Sequence, residues 1–241
     1  MALTDFKALT FDCYGTLIDW ESGIASGLSA LASRRVEPLT RDEILEAHAR
    51  HESHQQIITP ALPYDQLLKV VFERLAEEWN VHCSTDEAVA YGASVGDWPA
   101  FPDSASTLLY LKKYFKLVVL SNVDNRSFKA SNKKLAVEFD AVVTAEDVGS
   151  YKPSRKNFER LFSTLSSMGI EKKDTLHIAD SIYHDHEPAA ELQLRSCWIH
   201  RRYEQRGFGA TLKTSLEPSV DYKFTSMAQL VKAHHEALAN G

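Results

Sequence analysis

The sequence predicts an α/β fold: a parallel sheet covered by helices on both faces, with a helical cap inserted after the first strand. Three observations predict it. Short apolar runs end abruptly in polar residues, as buried strands do where they meet a loop. Beyond residue 103 these runs alternate with helix-spaced segments, the order that builds a parallel sheet. Residues 20–93 interrupt that order with helical spacing alone.

The opening run, residues 6–11, is rich in strand formers, stops at Asp12 and turns at Gly15. Between residues 20 and 93 Gly is sparse, and Ala, Leu, Glu and His abound. Ile44, Leu45, His48 and Ala49 make one helical face there; Leu67, Leu68, Val71, Phe72 and Leu75 make a clearer one. Thr59-Pro60 and Leu62-Pro63 break the block. Trp98, Pro99, Phe101 and Pro102 suit a rigid connector, and Asp103 is placed to cap the helix carrying Leu108, Leu109 and Leu111. Strands follow at 117–120, ending at Ser121-Asn122, at 141–144, followed by Lys152-Pro153, at 175–179, ending at Asp180, and at 196–199. Residues 158–168 and 189–194 read as helices. The expected division is a core of residues 1–19 and 97–241 and a cap of residues 20–96.

Composition narrows the partners. Lys and Arg number 27 against 33 Asp and Glu, a net charge of −6, which disfavours a phosphate-backbone partner. Apolar residues at 44% and charged residues at 25% exclude a disordered or low-complexity chain. No apolar run approaches the roughly 20 residues of a membrane helix. The first residues carry acids where a secretory leader is basic and then apolar. Three unpatterned cysteines, Cys13, Cys83 and Cys197, fit a reducing cytoplasm rather than a disulfide framework. No zinc spacing links them to the 10 histidines.

Four strand ends carry the polar residues: Asp12, Ser121-Asn122, the Lys152 loop and Asp180. In an open parallel sheet, ligands bind outside the carboxyl ends of the strands, so these distant residues converge on one crevice. Each alone is ordinary, since an Asp after a strand usually caps a turn. The joint pattern carries the weight.

These residues resemble a family. Phe11-Asp12-Cys13-Tyr14-Gly15-Thr16-Leu17 is similar to the first motif of the haloacid dehalogenase superfamily, and Leu120-Ser121-Asn122 to the second. Tyr151-Lys152-Pro153 is similar to the third, and Ile178-Ala179-Asp180-Ser181 with Asp185 to the fourth. The resemblance implies a Rossmann-like core with a helical cap after the first motif. It implies Asp12 as a nucleophile that forms a covalent ester, later hydrolysed by water. Lys152 would hold the Asp12 carboxylate, with Thr16, Ser121 and Asn122 orienting it and the substrate.

Position 14 narrows the chemistry. Phosphatases of the superfamily carry a second Asp there, the general acid for an alkoxide leaving group. Tyr14 is instead similar to the 2-haloacid dehalogenase branch, whose halide leaves without a proton. Asp180 and Asp185 point the other way, resembling the magnesium-binding acids of the phosphatase and phosphonatase branches. Asp12, the Tyr14 carbonyl, Asp180 and Asp185 are then the candidate ligands. Without metal, Asp180 is expected either to serve as a base for water or to pair with Lys152. Phe158 stands where dehalogenases often have Tyr. Arg50 is the candidate grip on a substrate carboxylate, because its fork matches one, and Trp20 the candidate wall of a halide pocket. His48, His51 and His54, three apart, read as a solvated polar face rather than a metal stripe.

The expectation is a hydrolase that converts small 2-haloalkanoic acids to 2-hydroxy acids. It needs no cofactor, takes a small anionic substrate, and binds neither nucleic acid nor membrane. A homodimer is left open. The alternatives are a magnesium-dependent phosphatase or phosphonatase-like hydrolase and a catalytically idle binding protein of the same fold.

Overall fold

The computed structural model describes residues 2–214 and 219–240. Six parallel strands form one sheet in the order β3-β2-β1-β4-β5-β6: β1 (Ala8–Phe11), β2 (Lys116–Ser121), β3 (Ala141–Thr144), β4 (Thr175–Ala179), β5 (Arg195–Ile199) and β6 (Tyr222–Phe224). Every residue of β1 and β4 is buried, as expected for central strands with helices on both faces. Alternate side chains enter different cores. Leu9, Phe11, Leu117, Val119, Leu176 and Ile178 join the larger one. Ala8, Val118, Leu120 and Val143 meet Phe158, Leu161 and Leu165 on the opposite face.

The register sets the site. Phe11 stands beside both Val119 and Ile178, and Ser121 beside Thr144. The residues that follow these strands therefore emerge together along one edge of the sheet.

Four helices follow β1: α1 (Trp20–Ala32), α2 (Arg41–Ile58), α3 (Tyr64–Glu78) and α4 (Thr85–Ala93). Three of the four starts are capped by a side chain. Asp19 caps α1, and reciprocal caps pair Thr40 with Glu43 at α2 and Ser84 with Glu87 at α4. The chain between α2 and α3 holds both predicted proline breaks. The block leaves and returns to the sheet through adjacent chain segments. The Asp19 amide donates to the Pro99 carbonyl at 2.8 Å and the Phe101 amide to that of Leu17 at 3.0 Å.

The remaining helices are α5 (Ser104–Leu111), α6 (Asn125–Leu135), α7 (Ala145–Val148), α8 (Arg155–Ser167), α9 (Glu187–Glu191) and α10 (Met227–Asn240). The expected cap at Asp103 is not made. Its side chain makes no cap bond, because both carboxylate oxygens accept from Arg201, at 2.9 and 3.0 Å. The helix expected at 189–194 ends at Glu191, and a wide helical turn, Ile182–His186, precedes it. Among the described residues no helix is long and apolar enough to cross a membrane.

Candidate active site

The turn after β1 presents Asp12. Gly15 has φ +96°, and a Cβ there would lie 3.0 Å from Trp20 Nε1, so both backbone and space call for glycine. Within this turn Thr16 Oγ donates to Asp12 Oδ2 at 2.7 Å and accepts from the Asp180 amide at 2.9 Å. One hydroxyl thus ties the ends of β1 and β4 together.

Lys152 reaches Asp12 from the loop after β3. Its Nζ donates to Asp12 Oδ1 at 2.9 Å, to Asp185 Oδ1 at 2.7 Å and to the Leu120 carbonyl at 3.1 Å. All three ammonium protons are placed. Asn122 fixes that loop: its Oδ1 accepts from the Lys152 amide at 2.7 Å, and its Nδ2 donates to the Lys152 carbonyl at 3.1 Å. Its role in the fold is therefore to position Lys152. The Ser121 hydroxyl, next to Asn122, is buried without a hydrogen-bond partner.

Behind Lys152, His177 Nε2 donates to Asp185 Oδ1 at 2.9 Å, and Nδ1 of the same ring lies 2.8 Å from Thr10 Oγ. Burial favours the neutral acid at Asp185, but the Lys152 ammonium and the His177 bond outweigh it and hold the carboxyl well below its usual range. The same two carboxylates raise Lys152 against its burial. At Asp12 burial raises the carboxyl, while Lys152 and Thr16 favour its charged form. Asp180 is raised to about 7 by burial, opposed by the Arg201 amide at 2.9 Å, with the charges of Glu21 and Asp12 adding to the rise.

The cleft over Asp12 is a cavity of about 30 Å³, bounded by Tyr14, Asn122, Lys152, Asp180 and Asp185 from the sheet side and by Trp20 at the start of α1. Of the candidate residues, Thr16 and Ser121 stand just behind this lining, next in sequence to Gly15 and Asn122, and Arg50 lies away from the site. Its guanidinium is exposed and pairs with Glu78 at 2.9 Å. Helix α2 turns Glu52 and Gln56 to the cleft instead, and a residue two positions from Glu52 projects from the opposite side of the helix. Tyr14 lines the cleft with its ring only. Its hydroxyl donates to Ser131 Oγ at 2.8 Å, and the ring packs edge-on against Trp98.

Sequence reasoning misses Glu52, Gln56, Tyr64 and Thr211, which also line the cleft, and His177; His184, flanking Asp185 and expected at the site edge without a role, lines it too. A signal existed for Glu52: it continues the buried Leu45, His48 and Ala49 stripe, where a carboxylate needs a reason. The histidine stripe itself divides. His48 is fully buried, His51 accompanies Glu78 at 2.6 Å, and His54 lies 3.0 Å from Arg74 Nη1.

The oxygen donors of the cleft fit magnesium in part. Asp12 and Asp180 share the cleft and supply hard oxygen ligands, with the Tyr14 carbonyl beside them in sequence. Asp185 fits less well, since its Oδ1 already accepts from Lys152 and His177 and only its Oδ2, buried without a partner, is left to bind an ion.

A family profile of haloacid dehalogenase-like hydrolases matches residues 6–192, and the chain belongs to that family. The HAD-hydrolase YfnB of Bacillus subtilis is 24% identical over 206 residues, covering 81% of this chain and 84% of that one. A crystal structure of YfnB bound to magnesium superposes with a TM-score of 0.71 at 18% identity, over 94% of this chain and 97% of that one. The L-2-haloacid dehalogenase PA0810 gives a TM-score of 0.75 at 21% identity, covering 94% and 98% of the two chains. The L-2-haloacid dehalogenase of Xanthobacter autotrophicus, with chloropropionic acid covalently bound, gives 0.76 at 15% identity, covering 95% and 98%. The protein is a hydrolase of this family, and its fold is that of these enzymes.

Proposed function

We propose that the protein displaces halide from small 2-haloalkanoic acids, with Asp12 as the nucleophile. One observation carries the reading: the side chain at position 14 is a phenol whose hydroxyl is committed to Ser131. No acid therefore stands two residues from Asp12 to protonate an alkoxide. A leaving group that departs as a stable anion needs none.

An Asp12 oxygen attacks C2, forming a C–O bond as the carbon–halogen bond breaks and halide leaves with the electron pair. Thr16 and Lys152 keep the attacking carboxylate aligned through 2.7 and 2.9 Å hydrogen bonds. Water then attacks the carbonyl carbon of the aspartyl ester. Asp180, raised to about 7, is suited to take the water's proton near neutrality. The ester C–O bond then breaks, the proton held by Asp180 passes to the departing alkoxide to give the 2-hydroxy acid, and Asp12 is restored with one oxygen from water. Ser121 supplies the unused donor for the substrate's anionic end, and Trp20 an apolar wall for the halogen.

We also propose that residues 20–96 act as a cap over a core of residues 1–19 and 97–241. The bridge pairing Ile18 with Ala100 marks the joint. The free cysteines Cys13, Cys83 and Cys197 suit a cytoplasmic enzyme.

A second reading rests on Asp12 and Asp180 in one cleft. Magnesium held by them and the Tyr14 carbonyl would supply positive charge to a phosphoryl group. One assay separates the readings: 2-chloropropionate and an aryl phosphate, each with magnesium and with chelator. Halide release that survives chelation is the expected result. Phosphate release that requires magnesium, without halide release, contradicts the first reading.

A further inference from the structure

The wall of the cleft opposite Asp12 holds a second buried carboxyl. Glu52, on α2, is 2% exposed and lines the same cavity as the nucleophile. Tyr64, at the start of α3, donates its hydroxyl to Oε1 at 2.7 Å. His48 Nδ1 lies 3.9 Å from Oε2, beyond hydrogen-bond distance. Burial holds that imidazole down to about 3, so it is neutral. No Lys or Arg among the described residues is within ion-pair distance of Glu52. Lys152, the single Lys or Arg bounding the cleft, has all its protons committed.

The other groups around Glu52 are uncharged phenols. Tyr64, Tyr91 on α4 and Tyr151 beside Lys152 are each raised, burial being the largest cause and the Glu52 charge adding to it. From the sheet side, Asp12, Asp180 and Asp185 contribute negative charge, and His184, held down to about 4 by burial, contributes none. An anionic substrate entering this cleft meets no cation on the cap.

We propose that Glu52, as a neutral carboxylic acid, is the cap's substrate-recognition residue, donating the Oε2 proton to the substrate carboxylate. Tyr64 occupies the other oxygen and sets the direction of the acid. This rests on the haloalkanoate reading of the site. An O–H donated to a carboxylate is a charge-assisted bond, stronger than one between neutral groups. Burial raises Glu52 to about 7, so the donor is present in the working range. The sign follows. Above that pH the proton leaves, the donor is lost and a negative charge faces the substrate, so carboxylate binding weakens as pH rises.

The test is calorimetric titration of the full chain with propionate, which carries the carboxylate and no leaving group. The wild type, Glu52→Gln and Glu52→Ala are compared at pH 6, 7 and 8. Glu52→Gln keeps a donor that does not titrate. Between pH 6 and pH 8 the wild type should lose about tenfold more affinity than Glu52→Gln, one proton's worth at a pKa near 7. The comparison of slopes removes any shared contribution from Asp180. Glu52→Ala should bind weakly at every pH. Parallel slopes for the wild type and Glu52→Gln, or no propionate binding by the wild type at any pH, overturn the proposal. The dehalogenase reading fails separately. A wild type with the expected slope that releases no halide from 2-chloropropionate upholds Glu52 and faults that reading.

Discussion

Two side chains at the end of β1 determine what this site can do. Asp12 is gripped on both oxygens, by Lys152 and by Thr16, so it faces the cleft in one orientation. Tyr14 removes the acid that an alkoxide would need and places a phenol against Ser131 and Trp98 instead. Tyr14→Asp is therefore expected to raise aryl-phosphate hydrolysis relative to halide release. General acids of this kind contribute about 10²–10⁴-fold, so the ratio of the two rates should move towards phosphate by at least tenfold. Parallel assays with both substrates check this, and an unchanged ratio means the missing acid is not what separates the activities. Asp12 and Asp180 were legible at this scale because each directly follows a strand, and Lys152 because it stands before a proline in the loop beyond β3 and α7. His177 was not, because it lies inside β4, and its meaning depends on Asp185, eight residues away, folding back against it.

The same contrast appears at the scale of the element. Helix α2 could be read as a helix, but which of its faces meets the site is a tertiary fact. Arg50 and Glu52 are two residues apart and project on opposite sides, so the choice of the basic residue as the substrate grip selected the solvent face. Arg50→Ala should leave halide release within twofold of wild type. It should cost less than about 1 kcal/mol of stability, since an exposed ion pair with Glu78 contributes little. Steady-state kinetics and thermal melting test this, and a rise in KM above tenfold would return Arg50 to the site. The cap expected at Asp103 failed for a related reason. A carboxylate at a helix start has local appeal, but Arg201, distant in sequence, offers two charge-assisted hydrogen bonds and takes it. Strand β6 went unread because it is three residues long and only partly buried, too short for alternation to register.

Across the whole molecule, parallel pairing does most of the assembly. Strands β1, β2 and β4 stand adjacent in the sheet although over a hundred residues separate β1 from the other two, and their common direction brings Asp12, Asn122 and Asp180 to one edge. That convergence was legible in the sequence, because buried parallel strands are continuous apolar runs with polar ends. The insertion was legible too, as helical spacing where a strand and crossover were due. The shape of the cleft was not legible, because it is made where α2 and α3 meet the sheet edge, and no sequence period encodes that contact.

Covalent chemistry at Asp12 can be read out in a single turnover in heavy-oxygen water. Enzyme in excess over 2-chloropropionate should give a 2-hydroxy acid carrying light oxygen, because that oxygen comes from the Asp12 carboxylate. The heavy atom should then appear on Asp12 in the peptide recovered by mass spectrometry. Asp12→Asn should lose activity by several orders of magnitude while keeping its fold. Product bearing the full solvent label in the first turnover, with Asp12 unlabelled, would contradict the account and make Asp12 a base that activates water.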